Sequence, residues 1–600
     1  MISALHPRMT FTAATMAIVG ALAIVAWGDA ASAAAPTASR PNVLLIMTDD
    51  QGWWDLSSHG NPALETPRLD ALAKESVEFI RFYAAPVCSL TRASLMTGRY
   101  PQRTGCFDTR FGHDTLAADE ITIAELFKQA GYRTALFGKW HLGRFMPNHP
   151  NEQGFEEYFG FWQYGHVERY LHPDRIWQNK NRVACRGHIT ELITDAAINF
   201  ISERREPFFA CVAYNAPHSP FLAEDSLVAK YLAKGVDYDN ARIYALIEQC
   251  DRNIGRLLDA VDRQEIAQNT VVLFLSDNGG VSSYYNSGLR GKKSQVYEGG
   301  VRTPLLVRLP GQFPAGAKVG AMAGVIDLLP TLAAIADVDV PADRTIDGRN
   351  LLPLLKAGGG ASPHERMYHN WSRGKPSSER NWAVCDERYK LANGRLYDLQ
   401  SDPGEKQDIA AAHPDIASRL RQEFLAWFEE VCAGQSFERA LIEVGRDDEN
   451  PIELPASWAD LSDATLKYVF DGYDWDVIEG WQQPDDAAEW RINVVRPGRY
   501  QVTATYGAAS DSAGGKYSVS VGDAELTAEV AATPTTTTFV DHPVGVVDLA
   551  AGVTVVRLSA VDVLGAELMS LNRLLLTRID ETAATQGPES DVQPAALSTK

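Results

Sequence analysis

Several short polar clusters in this 600-residue chain carry residue types able to do chemistry on an anion. Asp49 and Asp50 are adjacent carboxylates, which repel each other unless a cation sits between them. Cys88 and Arg92 lie one turn apart in the stretch from Pro86 to Arg99, on one face of a short helix that Gly98 can end in a left-handed cap. A helix start favours negative charge, and so does Arg92. Lys139 and His141, two apart in Gly-Lys-Trp-His-Leu-Gly, can splay around one small anion. His218 is held in a non-helical turn between Pro217 and Pro220. Asp277 and Asn278 are hard oxygen donors, and with Asp49 and Asp50 they make an oxygen-only set suited to Ca²⁺ or Mg²⁺ rather than zinc. Taken singly, each cluster also has an ordinary reading: a buried thiol, an Asp turn, a structural histidine.

The elements around these clusters repeat one arrangement. Apolar runs, Pro41 to Met47, Tyr132 to Phe137, Phe208 to Tyr214 and Thr270 to Leu275, each end at a cluster. Continuous runs of this kind suit strands buried on both faces. Helical patterns alternate with them: one starting at Thr66-Pro67, then 122–130 stopped by Gly131, 189–204 and 240–261. The alternation predicts an α/β domain with a large, mixed, mostly parallel sheet flanked by helices. Open sheets gather their ligands just beyond strand ends, so one pocket can collect every cluster.

The Cys88 string resembles the signature of type I sulfatases of the alkaline phosphatase superfamily, Cys-x-Pro/Ala-x-Arg followed by Leu-x-Thr-Gly-Arg, with Leu90 where Pro or Ala is usual. Gly138 to Gly143, Ala216-Pro217-His218, Asp277-Asn278-Gly279 and Leu289 to Pro304 are similar to further motifs of that family, in its order, between Pro41 and Cys432. The resemblance implies that Cys88 is oxidised to formylglycine by a formylglycine-generating enzyme, and that its hydrate is the nucleophile. It implies a Ca²⁺ or Mg²⁺ site made by Asp49, Asp50, residue 88, Asp277 and Asn278. Arg92, Lys139 and Lys293 would neutralise the sulfate oxygens, His141 would hold the nucleophile, and His218, or Lys293 beside it, would protonate the departing alcohol. Counting back from Tyr297 selects Lys293 over Lys292. The implied activity is hydrolysis of sulfate esters of a small molecule or glycan. A phosphate or phosphonate ester hydrolase of the same superfamily, and a non-catalytic glycan-binding protein on this scaffold, are the competing readings.

The rest of the chain divides by texture. Residues 1–33 read as an export signal, with an apolar run from Phe11 to Trp27 and an Ala31-Ser32-Ala33 cleavage site, predicting a periplasmic or extracellular protein that meets a membrane only if this segment stays uncleaved. The catalytic domain is expected over 37–360 and a small antiparallel-sheet subdomain with one helix over 361–433. A charged linker is expected over 434–458, an all-β sandwich over 459–579 and a disordered tail over 580–600. The β region is loosely similar to carbohydrate-binding modules, with a packing or oligomerisation domain as the alternative, and Tyr473, Trp475 and Trp481 are candidate stacking aromatics unless they are core. Aromatics and histidines crowd Arg144 to Arg186, which reads either as a packed insertion or as a pocket wall. A formal charge of −21 argues against a nucleic-acid partner. Seven cysteines show no CxxC or zinc spacing, and export permits disulfides.

Overall fold

The computed structural model describes residues 40–579, apart from positions 164, 204, 206, 463, 464 and 474. The expected export signal and C-terminal tail lie outside the described residues. No helix among the described residues is long and apolar enough to cross a membrane. All seven cysteines are free thiols.

The first apolar run is strand β1 (Asn42–Asp49), buried along its whole length. The chain goes on to β2 (Val77–Tyr83), β3 (Arg133–Lys139), β4 (Glu157–Phe161), β5 (Phe208–Pro217), β6 (Thr270–Ser276) and β7 (Arg302–Arg308). In space these lie in the order β2-β7-β6-β1-β5-β3-β4, and short edge strands extend the sheet to 11. The neighbours from β6 to β4 run parallel, whereas β7 is antiparallel to both β6 and β2. This is the mixed, mostly parallel sheet that the alternating pattern predicts.

Side chains of β1 alternate between two cores, as the two-residue strand period requires. Val43, Leu45 and Met47 face one core, with Leu90 and Ala93 of the Cys88–Thr97 helix and Phe127 of the Ile123–Gln129 helix. Leu44 and Ile46 face the other, with Ile193 of the Ile189–Ser202 helix and Leu246 of the Tyr238–Arg263 helix. Each fully buried Leu or Ile contributes on the order of 1.5–3 kcal/mol. Beyond this domain, four antiparallel strands from Met367 to Asp398 pack on the Pro414–Cys432 helix through Trp382, Leu391, Leu420 and Phe424.

From Ile442 to Arg578 the chain makes two six-stranded sheets around one core that includes Trp481, Trp490, Tyr500 and Leu574. Part of the stretch expected as a linker belongs to these sheets. Ile442–Val444 pairs in parallel with Ala487–Val494, and Ile452–Pro455 pairs antiparallel with Ser570–Arg578. Strands of three or four residues separated by Arg446-Asp447-Asp448-Glu449 are too short for their apolar alternation to stand out from the surrounding charge. Trp481 takes the second of its two readings. It is fully buried, with its indole N–H donated to the Ile478 carbonyl at 2.9 Å, so it is core rather than a stacking surface.

The sandwich is fastened to the catalytic domain beside the pocket. Phe145 enters the sandwich core and meets Trp458 edge-on, 4.9 Å between ring centres. Arg144 pairs with Glu453 at 2.6 Å.

Candidate active site

The clusters sit where β1, β3, β5 and β6 end. Asp49 closes β1, and Asp50 follows with a φ of 73°. The register of β1 against β5 shifts between Met47 and Asp49, which brings Asp49 opposite Pro217. Lys139 closes β3, and His141 follows with a φ of 60°. Non-glycine residues held in the left-handed region cost on the order of 1 kcal/mol or more each, so the surrounding packing must impose these two turns. Cys88 opens its helix, which Gly98 ends with a φ of 69°, the left-handed cap expected from sequence.

Nine of the ten residues singled out meet around one point. Ligand atoms of Asp49, Cys88 and Asp277 lie within 4.8 Å of one another, and so do those of Asp49, Asp50 and His218. Cys88 Sγ is 3.3 Å from His141 Nδ1. Lys139 Nζ is 2.6 Å from Asp49 Oδ2, and Lys293 Nζ is 2.7 Å from Asp50 Oδ1. Asn278 donates its Nδ2 to Asp50 Oδ1 at 2.8 Å. His218 Nδ1 donates to the Ser219 carbonyl at 2.8 Å, which leaves Nε2 on the Asp50 side, 3.8 Å from Oδ2.

The tenth, Arg92, meets this group through Asp277 and the end of β3. It is buried, donates from Nε and Nη2 to Asp277 Oδ2 at 3.2 and 2.8 Å, and donates from Nη1 to the Lys139 carbonyl at 3.0 Å. In this position it clamps Asp277 and the end of β3. Lys293, partly exposed, reaches the site, whereas Lys292 points to solvent.

The donor set fits a hard divalent cation. Asp49 Oδ1 and Asn278 Oδ1 are buried oxygens without a hydrogen-bond partner, which is costly unless something positive meets them. Burial, with Asp49 close by, raises the Asp277 carboxyl above the usual carboxylate range. Burial also pushes on Asp50, but Lys293, His218 and Asn278 outweigh it and hold that carboxyl at about 2. Burial and Lys293 lower His218 to about 3, and burial with Lys139 and Arg92 holds His141 well below its ordinary value. Burial pushes the Cys88 thiol up, against the pull of Lys139 and Lys293. A buried thiol of this kind is a poor nucleophile.

Sequence reasoning missed the supports of this centre. Asp114 lies 3.5 Å from His141 Nε2, and Gly165 packs against the same ring. Neither stands in a motif. Most aromatics of the insertion, including Phe155, Tyr158, Trp162 and Tyr170, are core, while the His166 ring lies 5.9 Å from that of His218. Leu90, which stands where the signature usually has Pro or Ala, is packed in the core against the sheet.

Comparison with known proteins gives the following matches. The family model for sulfatases matches residues 41–338, and one described as the C-terminal part of N-sulphoglucosamine sulphohydrolase matches 290–429. N-acetylgalactosamine-6-sulfatase of Sus scrofa is 34% identical over 354 residues, 53% of this chain and 66% of that protein. Steryl-sulfatase of Mus musculus is 30% identical over 517 residues, 65% of this chain and 81% of that protein. The crystal structure of Ps i-CgsB in complex with k-i-k-neocarrahexaose superposes with a TM-score of 0.61 at 30% identity, covering 65% of this chain and 93% of that one. Both family models end before the two six-stranded sheets.

Proposed function

Because the chain belongs to the sulfatase family of sulfuric ester hydrolases, we propose that it is an exported enzyme that removes sulfate from a sulfated carbohydrate. Its nucleophile is formylglycine made from Cys88 by a formylglycine-generating enzyme. Ca²⁺, with Mg²⁺ as the alternative, is held by Asp49, Asp50, Asp277 and Asn278. The observation carrying this reading is the convergence of Cys88, four oxygen ligands, two lysines and two histidines at the ends of four neighbouring strands.

The formylglycine hydrate would supply one hydroxyl to attack sulfur and a second through which sulfate is expelled, and the cation would lower the hydroxyl's pKa and offset anionic charge. The chain's own residues do the rest. Arg92 fixes Asp277, and Lys139 and Lys293 bring two positive charges to the sulfate pocket. His141, set between Asp114 and residue 88, orients the nucleophile. His218 Nε2 and Lys293 Nζ lie on the open side of Asp50, within reach of a departing alcohol oxygen. A sulfated carbohydrate is favoured by the galactosamine sulfatase relatives and by the oligosaccharide complex of the structural neighbour.

Mass spectrometry of the tryptic peptide 82–92, paired with sulfate release from aryl sulfate, aryl phosphate and sulfated sugars, tests the proposal. The aldehyde at position 88 and turnover of sulfate over phosphate are expected. Sulfate release by protein with intact Cys88 would overturn the nucleophile, and faster hydrolysis of phosphate would overturn the ester class.

A further inference from the structure

The sandwich reaches the catalytic centre through the loop from Phe470 to Asp476. Asp476 organises this loop by accepting the N–H groups of Phe470 and Val477, each at 2.8 Å, and that of Gly472. Gly472 has a φ of +81°, and a Cβ there would stand 1.9 Å from the Phe111 ring. The Phe111 N–H donates to the Gly472 carbonyl at 3.2 Å. The loop is thus seated tightly on the catalytic domain.

Its two aromatics form a ledge. Arg110 lies 3.8 Å above the Tyr473 ring and donates Nη2 to its hydroxyl at 2.6 Å. Tyr473 stacks on Trp475 with ring centres 4.8 Å apart and planes 6° apart. Trp475 meets His166 at 4.5 Å, and His166 leads to His218. Beside this ledge opens a cleft lined by Trp475, Phe161, His166, Pro173, Glu168 and Arg175. The last two are ion-paired at 2.9 Å.

We infer that Trp475, backed by Tyr473, is the floor of a subsite that takes a pyranose ring on the alcohol side of the scissile ester. The inference rests on the proposed sulfated-carbohydrate reading and goes beyond it, by assigning part of the substrate pocket to the appended sandwich. Indole presents a flat apolar face that suits the C–H face of a pyranose, while Glu168 and Arg175 offer acceptor and donor groups for ring hydroxyls. From the groups proposed to meet the departing alcohol, the line from Asp50 through His218 reaches Trp475 across one intervening ring, His166. Tyr473 and Trp475, two of the three aromatics flagged in sequence, thus serve the active site rather than a separate glycan site on the sandwich.

The test measures dissociation constants by calorimetry for N-acetylgalactosamine 6-sulfate, a carrageenan hexasaccharide and inorganic sulfate, with every form of the full chain carrying Cys88→Ala to remove the proposed nucleophile. The readout is the ratio of each sugar's Kd to that of inorganic sulfate. Trp475→Ala is expected to raise the ratio for at least one sugar about tenfold, about 1.4 kcal/mol, whereas Trp475→Phe stays within about threefold of the Cys88→Ala parent. An unchanged ratio in Trp475→Ala, a Phe variant as impaired as the Ala variant, or a parent binding neither sugar better than inorganic sulfate overturns the subsite. Binding is read without turnover, so failure of the sulfatase reading shows separately, as absent sulfate release by the wild type.

Discussion

The His141 ring is packed so closely against Gly165 that a Cβ at 165 would stand 2.6 Å from both Cε1 and Nε2. The same ring faces Cys88 Sγ through Nδ1 and Asp114 through Nε2, so it has little room to yield without losing a partner. Gly165→Ala is therefore expected to lower kcat on a sulfate ester by about 10–100-fold, since displacements near 1 Å carry penalties of that order. The thermal midpoint should move far less than kcat. Unchanged kcat would show that the ring's position does not matter.

Arg92 and Asp277 form a buried ion pair in which each charge depends on the other. Arg92→Met leaves Asp277 uncompensated and is expected to cost about 3–5 kcal/mol in denaturant unfolding. Arg92→Lys keeps a charge but loses the two-point grip, so its loss should be smaller. Added Ca²⁺ should return part of the loss in either variant by meeting Asp277. If Ca²⁺ stabilises wild type and variants equally, Asp277 is not a ligand.

Removing divalent cations from the whole protein should abolish turnover and lower the thermal midpoint. Readdition of Ca²⁺ should restore both, with about 2.7 kcal/mol of stabilisation at a hundredfold excess over Kd. Mg²⁺ should serve in its place, and Zn²⁺ should not, because the donor set is oxygen. Melting curves indifferent to Ca²⁺ would remove the cation from the site.

Glu449, whose carboxylate accepts the Met146 N–H at 3.2 Å, makes the seat of the sandwich sensitive to pH. Burial raises its carboxyl from 4.5 to about 8. Between these values the folded chain holds a proton that the unfolded chain has lost, so stability is full below pH 4.5 and falls as pH rises towards 8. Because the residue is only partly buried, the loss is expected at about 2 kcal/mol, below the full linkage value. Glu449→Gln keeps an acceptor for Met146 and has no proton to lose. Its thermal midpoint relative to wild type should climb between pH 5 and 8.5, and a flat difference would refute the assignment.

The strand-end clusters were legible because each depends on local order alone: an apolar run, then a turn carrying charge. That pattern located Asp49, Lys139, His218 and Asp277, and the count back from Tyr297 chose Lys293 correctly for reach. What Arg92 touches was not legible, because Asp277 lies 185 residues away and only the fold decides which of several carboxylates meets the guanidinium. Asp114 and Gly165 matter through one contact each with His141, and single contacts leave no spacing to read. The strands at Ile442 and Ile452 were hidden for a related reason, since their partners come from Ala487–Val494 and Ser570–Arg578.

Phe145 belongs to the catalytic domain by sequence and to the sandwich core by packing. A gene shortened after Cys432 would therefore strip Phe145 of the core it packs in. It would leave Phe145 and Phe111 bare beside the pocket, as an adhesive patch on an otherwise acidic protein. Natural or engineered shortening at this boundary has to recolour both positions with polar residues first, and shuffling this sandwich onto another catalytic domain has to carry them along.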